Sequence, residues 1–152
     1  WYTPIQYIDM AREVMGGIDL DPASSDRAQE AIQAVQYFTE RDNGLLRDWS
    51  GRVWLNPPYS QPAIHQFAEK VVREVSTGRV SEAIMLTHNY TDTAWFHVAE
   101  SIADAICFTR GRIRFVSPSG EVAAPTQGQT FFYYGPNVDR FRSVFRSAGF
   151  VR

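Results

Sequence analysis

The sequence predicts an α/β fold, a mostly parallel sheet with helices on both faces. Short apolar segments of strand character alternate with segments of helical periodicity along most of the chain. The 152 residues, 44% hydrophobic and 21% charged, suffice for one sizeable core and leave no room for a second domain of usual size. Residues 1–152 therefore read as a single compact domain.

Taken in order, Thr3-Pro4-Ile5-Gln6 predicts a helix start, with Thr3 as N-cap, Pro4 at the first helical position and Gln6 completing a capping box. Ile5, Ile8 and Met15 continue at helical spacing until Gly16-Gly17. Residues 18–21 read as a short strand ended by Pro22, 26–32 as a helix behind Ser24 and Ser25, and 35–38 as a weak strand. The strand expected at 52–55 must stop at Asn56-Pro57-Pro58-Tyr59, because two prolines cannot continue a paired ladder. Ile64, Phe67, Ala68, Val71, Val72 and Val75 then form the clearest amphipathic helix, with Gly78 beyond it. Strands at 82–86 and 105–109 flank a helix at 93–101, further strands are expected at 112–116 and 130–134, and a last helix at 138–148 is closed by Gly149.

No apolar run approaches the roughly 18 residues of a membrane span, and no signal peptide is legible. The single cysteine, Cys107, excludes an internal disulfide, is compatible with a reducing cytoplasm, and reads as a buried small side chain. His65, His88 and His97 lack metal-ligand spacing, so no metal site is assigned. A net charge of −2 gives no global attraction to nucleic acid, and phosphate binding must rest on a local patch. Arg110 and Arg112, with Arg114, supply such a patch if the expected strand is regular, though alternation suits a solvated edge equally well.

In an open parallel sheet, ligands bind beyond the carboxyl ends of the strands. Two segments fall there, Asp19-Leu20-Asp21-Pro22-Ala23-Ser24 and Asn56-Pro57-Pro58-Tyr59. Asp19 and Asp21 suit an ammonium group or ribose hydroxyls, although Asp-Pro also initiates ordinary turns. At the chain start, Thr3 and the first free helical amides suit a carboxylate, with Trp1 and Tyr2 available to pack on a flat ring.

The Asn-Pro-Pro-Tyr turn has a specific chemical reading. An exocyclic amine is a poor nucleophile while its lone pair is delocalised into a ring. The Asn56 side-chain oxygen and the Pro57 carbonyl can each accept one of its N–H groups, which favours a pyramidal nitrogen, and Pro57-Pro58 hold these acceptors rigid. Tyr59 offers a face on which an extruded base can stack. A purely structural turn, with Asn56 capping and Tyr59 packing, is the plain alternative.

In the same order, Trp1-Tyr2-Thr3-Pro4, Asp19-Leu20-Asp21-Pro22 and Asn56-Pro57-Pro58-Tyr59 resemble the cofactor-helix, cofactor-loop and catalytic motifs of amino-directed DNA methyltransferases. The chain is most similar to the compact phage-type (Dam-like) DNA N6-adenine methyltransferases, and the similarity extends through Asn43-Gly44-Leu45, residues 91–97, Arg110-Gly111-Arg112-Ile113 and residues 131–135. The resemblance implies a Rossmann-like class I methyltransferase fold with one antiparallel strand near the C-terminus. It implies S-adenosyl-L-methionine as cofactor, double-stranded DNA as partner, and in-line methyl transfer to N6 of a flipped adenine in a bacterial cytoplasm, host or prophage. By matching position, Thr3 lies near the cofactor carboxylate, Asp21 near its amino group, Asn56 and Pro57 at the target amine, and Tyr59 stacks the base. Tyr2, Asp19, Pro22 and Ser24 complete the expected cofactor site.

Pro22-Ala23-Ser24-Ser25 stands where the broader family carries a glycine-rich loop, and no separate target-recognition domain follows the core. Sequence preference then falls to loops such as 117–128, and the ribose hydroxyls to Glu40 or Asp42. Three other readings remain open: methylation of a protein glutamine amide, methylation of cytosine N4, and a non-catalytic DNA-binding module of the same fold.

Overall fold

The computed structural model describes residues 1–123 and 126–152. The elements run α1 (Ile5–Met15), β1 (Leu20–Ser24), α2 (Gln29–Ile32), β2 (Gln36–Thr39), a 3-10 turn (Gly44–Leu46), β3 (Gly51–Leu55), α3 (Ala63–Ser76), β4 (Val80–His88), α4 (Ala94–Glu100), β5 (Ala105–Thr109), β6 (Gln129–Tyr134), α5 (Val138–Phe145) and β7 (Gly149–Val151). The strands form one seven-stranded sheet in the order β2-β1-β3-β4-β6-β5-β7. Pairings among β2, β1, β3 and β4 are parallel, whereas β6 runs antiparallel to both β4 and β5. This is the Rossmann-like arrangement expected, with β6 as the antiparallel strand and the short β7 as a further antiparallel edge on β5.

The apolar runs of the central strands are continuous because both sheet faces are covered. Side chains alternate between two cores. Trp54, Ile84, Leu86, Phe131 and Tyr133 face one core with Ile8, Val14, Phe141 and Phe145 of α1 and α5. Val53, Leu55, Met85, Phe132 and Tyr134 face the other with Ile64, Phe67, Val71, Trp95 and Phe96 of α3 and α4. Each large apolar side chain so buried contributes about 1.5–3 kcal/mol.

Several boundaries differ from expectation for legible reasons. Pro4 takes the N-cap position of α1, and no side chain caps it, so Thr3 and Gln6 form no capping box. Pro22 does not end β1, because the β1–β2 register shifts between Asp21 and Ser24 and such a bulge tolerates a residue without an N–H. The helix expected from 26 is confined to Gln29–Ile32, behind a turn in which the Ser25 hydroxyl accepts from the Ala28 amide at 3.1 Å. Residues 112–115 form no strand, and only Val116 makes isolated bridges, to Tyr2 and Val122. Gly111 turns the chain at φ +72°, and the Ile113 amide donates to the Gln129 side chain at 3.1 Å instead of to a neighbouring strand. The last helix stops at Phe145, and Gly149 opens β7, where an added Cβ would overlap the Phe108 carbonyl.

Candidate active site

The sheet order places β2 and β3 on opposite sides of β1, which makes the β1–β3 junction the topological switch point. These strands share the register pair Leu20–Val53; Asp21–Ser24 form the carboxyl-terminal part of β1, and β3 leads into Asn56–Tyr59. A cleft with two lobes opens there. The smaller, about 440 Å³, is lined by Tyr2, Thr3, Asp21, Ser24, Arg27 and Trp54, among others. The larger, about 960 Å³, includes Pro22, Glu40, Pro57, Tyr59, His88 and Phe115. Trp1, Ala23, Ser24 and Asn56 border both lobes.

Asn56 is held at both ends of its amide. Its Nδ2 donates to the Thr3 hydroxyl at 3.1 Å, and its Oδ1 accepts from the Tyr59 hydroxyl at 2.5 Å. Thr3 therefore acts on Asn56 rather than as a helix cap. The two bonds together anchor both ends of the amide, with its carbonyl oxygen on the Tyr59 side. Tyr59 packs edge-on against His88, with ring centroids 4.3 Å apart, and lies 6.4 Å from the Phe115 ring. Burial pushes the Tyr59 hydroxyl above its usual range and keeps it a donor.

Asp21 is 1% exposed, and among the described residues no cation pairs with it. Gln29 Nε2 donates to its Oδ2 at 3.0 Å, and the Ala23 amide lies 3.4 Å from its Oδ1. Burial outweighs these bonds and pushes the carboxyl up to about 7. A buried carboxylate that lines a cleft without a counter-ion fits an ammonium group of a ligand.

Asp19 lies elsewhere. Its two oxygens accept from the Arg52 guanidinium at 2.8 and 2.9 Å and from the Arg52 amide at 2.8 Å, which holds its carboxyl below the usual range. It borders neither lobe, because it precedes β1 and is held by Arg52 near the start of β3, at the end of these strands away from the cleft. Asp42 is likewise engaged, accepting from the Thr39 amide and hydroxyl at 2.9 and 3.1 Å, whereas Glu40 borders the larger lobe just after β2.

Arg110, Arg112 and Arg114 are exposed, but the irregular backbone removes the single strand face expected of them. Residues 113, 115, 123, 126 and 127 of the segment after β5 border the larger lobe; Ala124 and Pro125 of the expected specificity loop lie outside the described residues. His65 pairs with Glu69 at 3.1 Å and His97 with the Thr91 carbonyl at 2.9 Å, away from the cleft. Cys107 is fully buried, as expected, and its thiol is pushed up to about 12 by burial. Sequence reasoning missed Trp54, Phe115 and Gln129 as lining residues and undervalued His88, although His88 ends β4 on the ligand-binding edge of the sheet.

A family profile described as DNA N-6-adenine-methyltransferase (Dam) matches residues 1–141. The chain belongs to that family. It is similar to a protein of Escherichia phage T1 named DNA N-6-adenine-methyltransferase, 32% identical over 109 residues, which are 70% of this chain and 42% of that protein. A protein of Haemophilus phage HP1 with the same name is 29% identical over 122 residues, 77% of this chain and 66% of that protein. The chain thus spans less than two thirds of either relative's length. Dam-family membership agrees with the resemblance carried by the ordered motifs, and the Dam-family match extends from Trp1 through all of β1–β6 into α5.

Proposed function

We propose that this chain transfers a methyl group from S-adenosyl-L-methionine to N6 of adenine in DNA, within a bacterial cytoplasm. The observation that carries this reading is the clamped Asn56 amide beside Pro57 at the carboxyl end of β3, in one cleft with the unpaired Asp21 carboxylate. The names of the phage relatives support adenine in DNA as the acceptor.

The residues present fit the cofactor. Asp21 offers the buried carboxylate for an ammonium group, Thr3 a polar side chain on the smaller lobe, and Glu40 a carboxylate for ribose hydroxyls on the larger. When bound, S-adenosyl-L-methionine supplies a methyl group made electrophilic by its sulfonium. The chain's own work is on the acceptor. Asn56 Oδ1 and the Pro57 carbonyl accept the two amine N–H groups, drawing the nitrogen toward pyramidal geometry and restoring its lone pair. Tyr59 provides the stacking face for a flipped base, and its hydroxyl occupies a lone pair of Asn56 Oδ1 until the amine arrives. Trp1 and Ser24 border both lobes, Tyr2 adds to the wall of the smaller and Pro22 to that of the larger. Arg110 and Arg112, exposed beyond β5, supply positive charge for the phosphate backbone.

The test is transfer of labelled methyl from S-adenosyl-L-methionine to unmethylated duplex DNA, followed by nucleoside analysis. N6-methyladenine is expected from the parent, with a loss of about 100-fold or more in Asn56→Ala, the scale at which removing one preorganised hydrogen-bond partner acts on a transition state. Label in protein alone would transfer the assignment to a glutamine amide, and label in cytosine to N4.

A further inference from the structure

Among the described residues, His88 is the one histidine that borders the cleft, and its ring nitrogens are not equivalent. Gln129 is 2% exposed, and its Oε1 accepts from the Ile113 amide at 3.1 Å. That bond fixes the flip of the Gln129 amide, so Nε2 is the group that faces His88 Nδ1, 3.3 Å away. An amide Nε2 only donates, so Nδ1 must accept. The imidazole is therefore neutral, with its proton on Nε2. Partial burial acts in the same direction by lowering the pKa of His88. The ring is wedged between Tyr59, at 4.3 Å, and Tyr90, at 5.1 Å, and backbone pairing of His88 with Gln129 across β4 and β6 fixes the same register. Among the described residues, none accepts from Nε2–H, and the side chain borders the larger lobe.

Resting on the function proposed above, we infer that His88 is a base-reading residue, whose Nε2–H donates to a ring nitrogen flanking the target amine. The chemistry of the acceptor is decided by complementarity. Asn56 Oδ1 and the Pro57 carbonyl both accept, so they read the amine but not the ring beside it. In adenine the amine lies between two acceptors, N1 and N7, and a donor next to the Asn-Pro-Pro-Tyr turn completes a donor–acceptor pattern. Guanine presents a carbonyl where adenine presents the amine, and its N1 carries a hydrogen that would oppose a donor. Tyr59, touching His88, ties this reading to the stacking surface.

The experiment compares parent, His88→Phe and His88→Gln on three duplexes, in which the adenines are unmodified, 1-deaza or 7-deaza, with S-adenosyl-L-methionine affinity and melting temperature as controls of folding. Phe keeps a flat ring against Tyr59 without a donor, and Gln restores an N–H. The parent is expected to lose about 10-fold or more in kcat/KM on one of the two deaza substrates, as unpaired polar groups in a reading site do. His88→Phe should lose as much on unmodified DNA and show no further loss on that deaza substrate, His88→Gln should recover part of the activity, and cofactor affinity should stay unchanged. A parent indifferent to both deaza substitutions, or a His88→Phe protein that loses activity equally on all three duplexes, would overturn base reading. A parent that binds the cofactor yet methylates none of the DNAs would refute the underlying function, and this inference with it.

Discussion

Asn56 has two neighbours on its amide, and they do different work. Tyr59 shares the oxygen, whereas Thr3 anchors the nitrogen end and so holds the side chain in place. Thr3→Val should therefore lower kcat by about 10-fold through a misoriented Asn56, with a melting-temperature loss of no more than about 4 °C, the shift that roughly 1 kcal/mol produces in a domain of this size. Unchanged turnover in that variant would remove Thr3 from the reaction. Asp21 gives a pH prediction with a definite sign. Its carboxyl is pushed from 3.8 to about 7 by burial, so between those values the folded protein holds a proton that the unfolded chain has released. Stability therefore falls as pH rises through this window and levels off above it. Asp21→Asn removes the penalty; urea unfolding should find it more stable than the parent at pH 8, by at most about 4 kcal/mol at about 1.4 kcal/mol per unit, and nearly equal at pH 4. The same variant should bind S-adenosyl-L-methionine more weakly. A destabilised Asp21→Asn at pH 8 would mean that the carboxylate has a cationic partner in the folded protein.

At the scale of elements, the cleft depends on how the loop after β2 supports the carboxyl-terminal part of β1. Trp49 Nε1 donates to the Gly44 carbonyl at 2.9 Å, and a Cβ on Gly44 would overlap the Pro22 carbonyl. Gly44→Ala should shift Pro22 and Ala23 together, at a cost of about 1–3 kcal/mol, and reduce cofactor affinity in the same protein. Calorimetric unfolding and a binding titration read the two effects, and a variant of parental affinity would show that this support does not reach the cleft. The segment after β5 is the element least foreseeable from residues alone. Arg112, Ile113, Arg114 and Phe115 alternate as an edge strand does, but the partner of the Ile113 amide is a side chain 16 positions away. Nothing local in the sequence encodes that bond. Thr3 misled for a related reason: its hydroxyl suits a cap, yet Asn56, 53 positions on, offers it a better-placed donor.

Across the molecule, the alternation of apolar runs and helical stripes made the layered α/β architecture legible. β3, β4 and β6 are apolar on both faces because both are covered. The Asn56–Tyr59 turn was legible too, since two prolines after an apolar run must end a strand, and it does border the cleft. β7 was not, because three residues carry no period, and the reassignment of Asp19 from ligand to ion pair needed Arg52 beside it. That ion pair has a mechanical side. β1 joins β3 through Leu20–Val53, and the Asp19–Arg52 contact sits behind that pair, at the end away from the cleft. A joint fastened at its rear and open at its mouth leaves the space between the two carboxyl ends to an occupant, while the ladder from β3 through β4 to β6 anchors the Asn56–Tyr59 turn on one side of it.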